Sequence, residues 1–283
     1  MKKILVTTDF SAASKSAIRF AIRWATQQKL QLVFVNVHHI LKPTAWSRDV
    51  LTKYVKNELK ETNAKLKEFI AGVYAEMNIE PAGITTKVFE GMDADVSILY
   101  HADKDSGYDC ICISTRGAGK LKKILGTNTG NLITKSDIPV MAVPAEYKAR
   151  DISTIMYATD MNDVKDEAAK VVAFAKPLNA KIEMVHFAWP NEFLFKEEML
   201  DDSFTKQLDY AIEFHYEKND ALHSLIERLE EKIKQNKPSV VVMFTNRQRT
   251  FFQKLFLSSK SEELSFKTKV PLLVFNKKAG AKK

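Results

Sequence analysis

The run ILVTTDF at residues 4–10 returns as IMYATDM at 155–161, and SDIPVMAV at 136–143 returns as TKVPLLVF at 268–275. A repeat of this length exceeds the ~20–50 residues of a solenoid unit, so it means two similar domains in tandem. The second copy is shorter: Asp160 to Pro271 spans 111 positions, against 130 from Asp9 to Pro139. One strand–helix unit is therefore expected to be reduced or lost in it. The polar stretch Ala145 to Asp151 separates the copies, giving domains at 1–146 and 151–276. The Lys-rich tail 277–283 reads as disordered.

Inside each copy, short apolar runs alternate with helical patterns. Lys3 to Phe10 reads as a strand running into a loop, and Ser11 as the N-cap of the next segment. There Ala17, Ile18, Ala21, Ile22 and Ala25 recur with the spacing of one helix face. Gln31 to Val37 is a strand. Residues 47 to 76 form a long helix, with Leu51, Tyr54, Val55, Leu59, Leu66, Phe69 and Val73 as inner positions. Ile84 to Phe89 is a third strand, Asp93 caps a helix carrying Val96 and Leu99, and Tyr108 to Ile113 and Val140 to Val143 are the last strands. The second copy reads as strand, helix (Glu167 to Ala175), strand (Lys181 to Phe187), long helix (Leu208 to Lys234), strand (Ser239 to Phe244) and closing strand. Continuous apolar strands alternating with helices predict an α/β fold of two tandem, doubly wound parallel-sheet domains.

The stretch 111–143 carries the chemistry. Its strand ends in Ser114-Thr115-Arg116-Gly117, a basic loop with Lys120, Lys122 and Lys123 follows, and Gly126-Thr127-Asn128 opens a helix. Glycines let backbone N–H groups approach an anion, and a helix N-terminus adds the positive end of a dipole. A nucleotide's phosphates are the expected ligand. Charge agrees: residues 1–150 hold 22 Lys+Arg against 15 Asp+Glu, while 151–283 hold 21 against 20.

Other chemistries find no support. Gly117-Ala118-Gly119-Lys120 lacks the spacing and the hydroxyl of a phosphate-loop NTPase, since Leu121 stands where Ser or Thr belongs. Lys122 breaks a dinucleotide fingerprint at its last glycine. Cys110 and Cys112, the only cysteines, lie two apart in a strand and read as core. Met156, Met161, Met184 and Met243 read as core fillers, and His38 and His39 as non-catalytic. No catalytic residue is identified. No nucleic-acid reader motif is present, and no run approaches the ~20 apolar residues of a membrane span. The N-terminal apolar run stops at Val6, short of a secretory core, so a cytoplasmic protein is expected.

The opening strand ending in Thr-Asp-Phe-Ser (8–11), the glycine loop and the closing Ser-x-x-Pro-Val strand (136–140) resemble the universal stress proteins, here as a tandem pair. The resemblance implies the adenine nucleotide alpha hydrolase-like fold and a role in stress response. In the ATP-binding branch the loop reads G-x2-G-x9-G-[ST]. Here Ser114 stands at the first glycine, Gly117 at the second, Gly126 at the third and Thr127 at the Ser/Thr, with eight residues rather than nine between Gly117 and Gly126. The resemblance thus implies ATP, with Mg or Mn, at Asp9, Val37, Ser114, Gly117, Gly126, Thr127 and Asn128. Asp9 and Val37 would meet ribose and adenine, Ser114 the ribose, and the rest the phosphates. Asp9 also reads as a plain loop acceptor, and Val37 as a core strand residue.

In the second copy the loop runs Thr245-Asn246-Arg247-Gln248, nine residues, then Ser258-Ser259. The spacing is kept, every glycine is gone, and Phe251 and Phe252 add bulk. That copy reads as structural. Two functions stay open: an adenine nucleotide-binding protein that acts by binding rather than turnover, and a structural or adaptor protein of the non-nucleotide branch. An ATP-hydrolysing enzyme would need a residue placed to activate water, and none is evident. The resemblance also implies pairing of the two closing strands, an intramolecular pseudo-dimer, and leaves room for a further homodimer.

Overall fold

The computed structural model describes residues 2–104, 107–115, 127–188, 207–218, 224–245 and 269–276. The chain divides into two units, Met1–Ala149 and Arg150–Lys283. The tail 277–283 lies outside the described residues.

In the first unit the chain runs β1 (Lys2–Thr7), α1 (Lys15–Gln27), β2 (Leu30–His38), α2 (Arg48–Glu76), β3 (Thr85–Glu90), α3 (Ala94–Lys104), β4 (Cys110–Ser114), α4 (Thr127–Lys135) and β5 (Val140–Val143). The strands stand in the order β3-β2-β1-β4-β5, and every pairing is parallel. Parallel strands covered on both faces must be apolar throughout, and the central ones are: Ile4, Leu5, Val6, Val33, Phe34 and Val35 are all but inaccessible. The chain steps from β1 outward through β2 to β3, then returns to the far side of β1 as β4. The order therefore reverses between β1 and β4.

The second unit repeats this plan with β6 (Thr154–Ala158), α5 (Val164–Ala175), β7 (Lys181–Ala188), β8 (Ile212–Lys218), α6 (Leu225–Asn236), β9 (Val240–Thr245) and β10 (Leu272–Asn276). Its order is β8-β7-β6-β9-β10, again parallel, with the reversal between β6 and β9.

The third strand–helix unit of this copy is reduced rather than lost, since the connection before its strand runs over 189–211 against 39–84 in the first unit. No third strand is lost, because β8 pairs with β7 where β3 pairs with β2. One other expectation is corrected. The helix expected over Leu208 to Lys234 is instead β8 followed by α6. Ile212, Phe214 and Tyr216 alternate along β8, a strand period, and aromatic and β-branched side chains suit a pleated surface. The helix starts afresh at a capping box: the Glu227 N–H donates to Ser224 Oγ, and the Ser224 N–H donates to the Glu227 carboxylate at 2.7 Å.

Smaller corrections concern the first unit. Ser11 does not open α1 directly. It caps the turn before it, accepting the Ser14 N–H at 3.1 Å, and the helix begins at Lys15. On α2 only Leu66 and Val73 of the expected inner positions are buried, joined by Thr62, Ile70 and Tyr74. On α3 Val96 faces solvent, and Asp95, Ile98 and Ala102 are the buried face.

Cys110 and Cys112 are core, as their spacing implies. Burial pushes the Cys110 thiol up from 9.0 to about 12, and burial likewise holds the Cys112 thiol well above 9.0. The folded thiols keep their protons where the unfolded ones have lost them. Their stabilising contribution is complete below pH 9 and drains away as pH climbs to about 12. Each thiol should cost about 1.4 kcal/mol per pH unit in that window. Urea midpoints measured across it should fall more steeply for the native sequence than for a Cys110→Ala/Cys112→Ala variant; parallel curves would show that the thiols are not buried in solution.

Candidate functional site

The carboxyl ends of β2, β1 and β4 bring three of the expected residues to one level. Thr7 pairs with Val35 and Val6 with Cys112, so Asp9, Val37 and Ser114 follow at the same edge of the sheet. The reversal between β1 and β4 opens there. In open α/β sheets ligands bind in the crevice outside the carboxyl ends at such a switch point.

Asp9 lies exposed just beyond β1. Its Oδ1 accepts the Ser11 N–H at 3.1 Å and the Ser11 hydroxyl at 2.5 Å. The next residue, Phe10, sits in the left-handed region at φ 62°, a conformation that costs a non-glycine residue about 1–2 kcal/mol. Its N–H donates to Thr8 Oγ1 at 3.1 Å, and its ring packs edge-on to Phe69 at 5.5 Å. Asn36 Nδ2 donates to the Thr8 carbonyl at 2.9 Å and so ties β2 to the same turn.

The second unit builds the same turn. Met161 has φ 62° and donates to Thr159 Oγ1 at 2.9 Å, Asp160 Oδ1 accepts the Asn162 N–H at 3.1 Å, and His186 Nδ1 lies 2.9 Å from the Thr159 carbonyl in place of Asn36. A strained residue kept after the aspartate in both copies marks this turn as a designed feature of the edge. The ILVTTDF and IMYATDM runs gave its position, but neither gave the left-handed backbone.

Val37, near the end of β2, is half-buried. A Cβ built on Gly91 would lie 3.4 Å from Val37 Cγ1 and 1.9 Å from Ser97 Oγ. Glycine there lets the turn after β3 pass close over β2, and the Gly91 N–H donates to the His38 carbonyl at 3.1 Å.

Ser114 ends β4 with its side chain buried. The Ser16 hydroxyl donates to Ser114 Oγ at 3.4 Å, so this group faces α1. Its carbonyl accepts the Thr129 hydroxyl at 3.0 Å, which fixes the first turn of α4 against β4. Asn131 Nδ2 also donates to the buried Asp95 at 2.8 Å and ties α4 to α3. Thr127 and Asn128 are the first two residues of α4 and are exposed. The N–H groups of a first helical turn have no intrahelical acceptor, so α4 presents donors and a positive dipole end. Gly117 and Gly126, with Arg116, Lys120, Lys122 and Lys123, lie outside the described residues. So do Asn246, Arg247, Gln248, Phe251, Phe252, Ser258 and Ser259 of the second loop.

Counting from Asp160 as from Asp9, Tyr157 and Glu167 stand where the first unit has Val6 and Ser16. Both are buried, and the Tyr157 hydroxyl donates to the Glu167 carboxylate while also lying 3.1 Å from Thr159 Oγ1. Burial, then the neighbouring Glu167 charge, pushes the Tyr157 phenol above its ordinary 10.0. Phe244 stacks on Phe275 at 5.0 Å and meets Tyr157 edge-on at 5.7 Å. The ground beneath this switch point is filled with aromatic rings and a carboxylate. Sequence reasoning missed the pair, although a Glu on the inner face of a helix was a signal that could have found it.

The sequence matches the Universal stress protein family over residues 1–144. The chain belongs to the universal stress protein family. Among solved structures it is similar to a universal stress protein from Archaeoglobus fulgidus, with a TM-score of 0.70, 17% identity, and coverage of 97% of this chain and 98% of that one. It is also similar to a putative universal stress protein from Pseudomonas aeruginosa, with a TM-score of 0.58, 14% identity, and coverage of 98% and 93%. At these identities the likeness shows the fold. None of the curated proteins matches the sequence. Among the described residues no helix is long and apolar enough to cross a membrane.

Proposed function

We propose that the first unit binds ATP at the β1–β4 switch point and that the protein acts by binding rather than turnover. The observation that carries this is the meeting of Asp9, Ser114 and the α4 N-terminus at one crevice of a parallel sheet. Thr127 and Asn128 would offer backbone N–H groups and a hydroxyl to phosphate oxygens, with Gly117 and Gly126 letting the loop approach. Asp9 would accept from ribose hydroxyls, and the backbone at Val37 would meet adenine. A divalent cation, Mg or Mn, would ride on the phosphates.

The second unit has no part in this binding. Its loop has lost the glycines, and the Glu167 carboxylate beneath its switch point opposes an anion. Calorimetric titration of the full chain with MgATP should therefore give one site per chain. Two equivalent sites would overturn the account of the second unit.

The rival, an adaptor of the non-nucleotide branch, is favoured by a specific observation. The Ser114 hydroxyl is buried against Ser16, and Asp9 Oδ1 already accepts twice from Ser11. Titration without heat, together with no nucleotide retained by the purified protein, would decide for it.

The proposal extends to the closing strands. β5 and β10 are each the last strand of their own unit's sheet, and their pairing into an intramolecular pseudo-dimer would give the second unit a reason to persist without a ligand.

A further inference from the structure

Residues 41–50, between β2 and the first turn of α2, are all exposed, and three of them are large and apolar. Leu41 is 75% exposed, Val50 51% and Trp46 43%. The Trp46 side chain is held in place. The Trp46 N–H donates to the Pro43 carbonyl at 3.4 Å, and the Trp46 ring meets Tyr54 edge-on at 5.1 Å. Ser47 caps α2 by accepting the Val50 N–H. The helix has 29 residues, about 43 Å at 1.5 Å per residue, yet none of its first fourteen, Arg48 to Glu61, is buried.

Along this stretch Lys53, Lys56 and Lys60 recur at i, i+3 and i+7, so they share one face, and all three are exposed. None has an ion pair among the described residues. Of the nearby acidic groups, Glu58 lies 3.5 Å from His38 and Glu90 pairs with Lys42, while Asp49 and Glu61 remain on the helix.

We propose that the Leu41–Lys60 segment docks the protein on an anionic lipid surface, with Leu41, Trp46 and Val50 entering the headgroup boundary and the three lysines reaching the lipid phosphates. Charge complementarity names the partner's sign. The residue types name its class: Lys is depleted from protein–protein interfaces, whereas Trp and Tyr beside Lys are at home where hydrocarbon meets water. That no helix among the described residues is long and apolar enough to cross a membrane has no bearing on docking of this kind.

The test is flotation of the full chain with phosphatidylcholine vesicles, with and without phosphatidylglycerol. Binding is expected only to the anionic vesicles, with weakening by salt. Each lysine near such a surface strengthens binding about fivefold, so Lys53→Gln/Lys56→Gln/Lys60→Gln should weaken it by roughly a hundredfold. Leu41→Ser/Val50→Ser, at exposed positions that should not disturb folding, should weaken it with the lysines intact. Unchanged thermal melting of both variants would exclude unfolding as the cause. A wild-type protein that ignores anionic vesicles at low salt would overturn the proposal and leave the surface to a protein partner. Binding lost with the lysines but unchanged in Leu41→Ser/Val50→Ser would overturn the insertion of apolar side chains.

Discussion

Gly126→Val should weaken ATP binding by about a hundredfold or more while leaving the thermal midpoint nearly unchanged. Gly126 directly precedes Thr127, the first residue of α4, at the end where the helix offers unpaired N–H groups. A phosphate held there takes charge-assisted hydrogen bonds, each worth about 1.5–3 kcal/mol. A branched Cβ at the entrance would hold the phosphate away from the N–H groups and remove at least two such bonds, which gives the stated factor. The helix itself should survive, since Thr129 and Asn131 anchor it to β4 and α3 through side chains that the substitution does not touch. Gly83→Ala is the control: a Cβ there meets nothing within 4 Å, so affinity and stability should both be kept. Equal ATP affinity in wild type and Gly126→Val would remove this loop from the phosphate site.

The parts of the fold that depend on local pattern were legible. β5 was bounded at Val140 to Val143, and α2 needed one residue of adjustment because Ser47 announces its start. β8 was misread because its alternation of Ile212, Phe214 and Tyr216 is brief, and Leu208 and Leu225 supply helix-like spacing on either side. The Ser224–Glu227 capping box was the local signal that the helix starts only there. Val96 was misplaced for a different reason. The burial of Asp95 depends on Asn131, which lies 36 residues away, and no helical period reveals such a partner.

At the site, residue types showed which groups gather at the edge of the sheet but not which way each faces. Ser114 turns inward because Ser16, also small and polar, stands opposite it on α1. In the second unit Glu167 takes the place of Ser16, and its partner is Tyr157, which stands where the first unit has Val6. The left-handed Phe10 was out of reach because Phe rarely adopts that conformation. It is held there by Thr8 and by a ring, Phe69, far along the chain.

The segment 1–150, made alone, should self-associate or aggregate where the full chain does not. β5 pairs with β4 on one side, in parallel register from Ile111↔Val140 to Ser114↔Val143, and its other edge has no partner within its own unit. A free edge of four residues offers unpaired N–H and C=O groups to any passing strand, and Val140, Met141, Ala142 and Val143 are all apolar. In the proposed pseudo-dimer β10, whose Leu272, Leu273 and Val274 are equally apolar, would satisfy that edge within one chain. Removing it uncovers apolar side chains worth about 1.5–3 kcal/mol each when buried, so losing two of them takes a large share of the ~5–15 kcal/mol that holds a domain together. The fragment then has two ways to recover the loss. A second copy can pair β5 with β5 across a two-fold axis, or several copies can aggregate. Sedimentation at a series of concentrations should show a concentration-dependent dimer or larger species for 1–150. A fragment that stays monomeric and melts with the same midpoint as that domain in the full chain would refute the pairing, and the persistence of the second unit would then need another explanation.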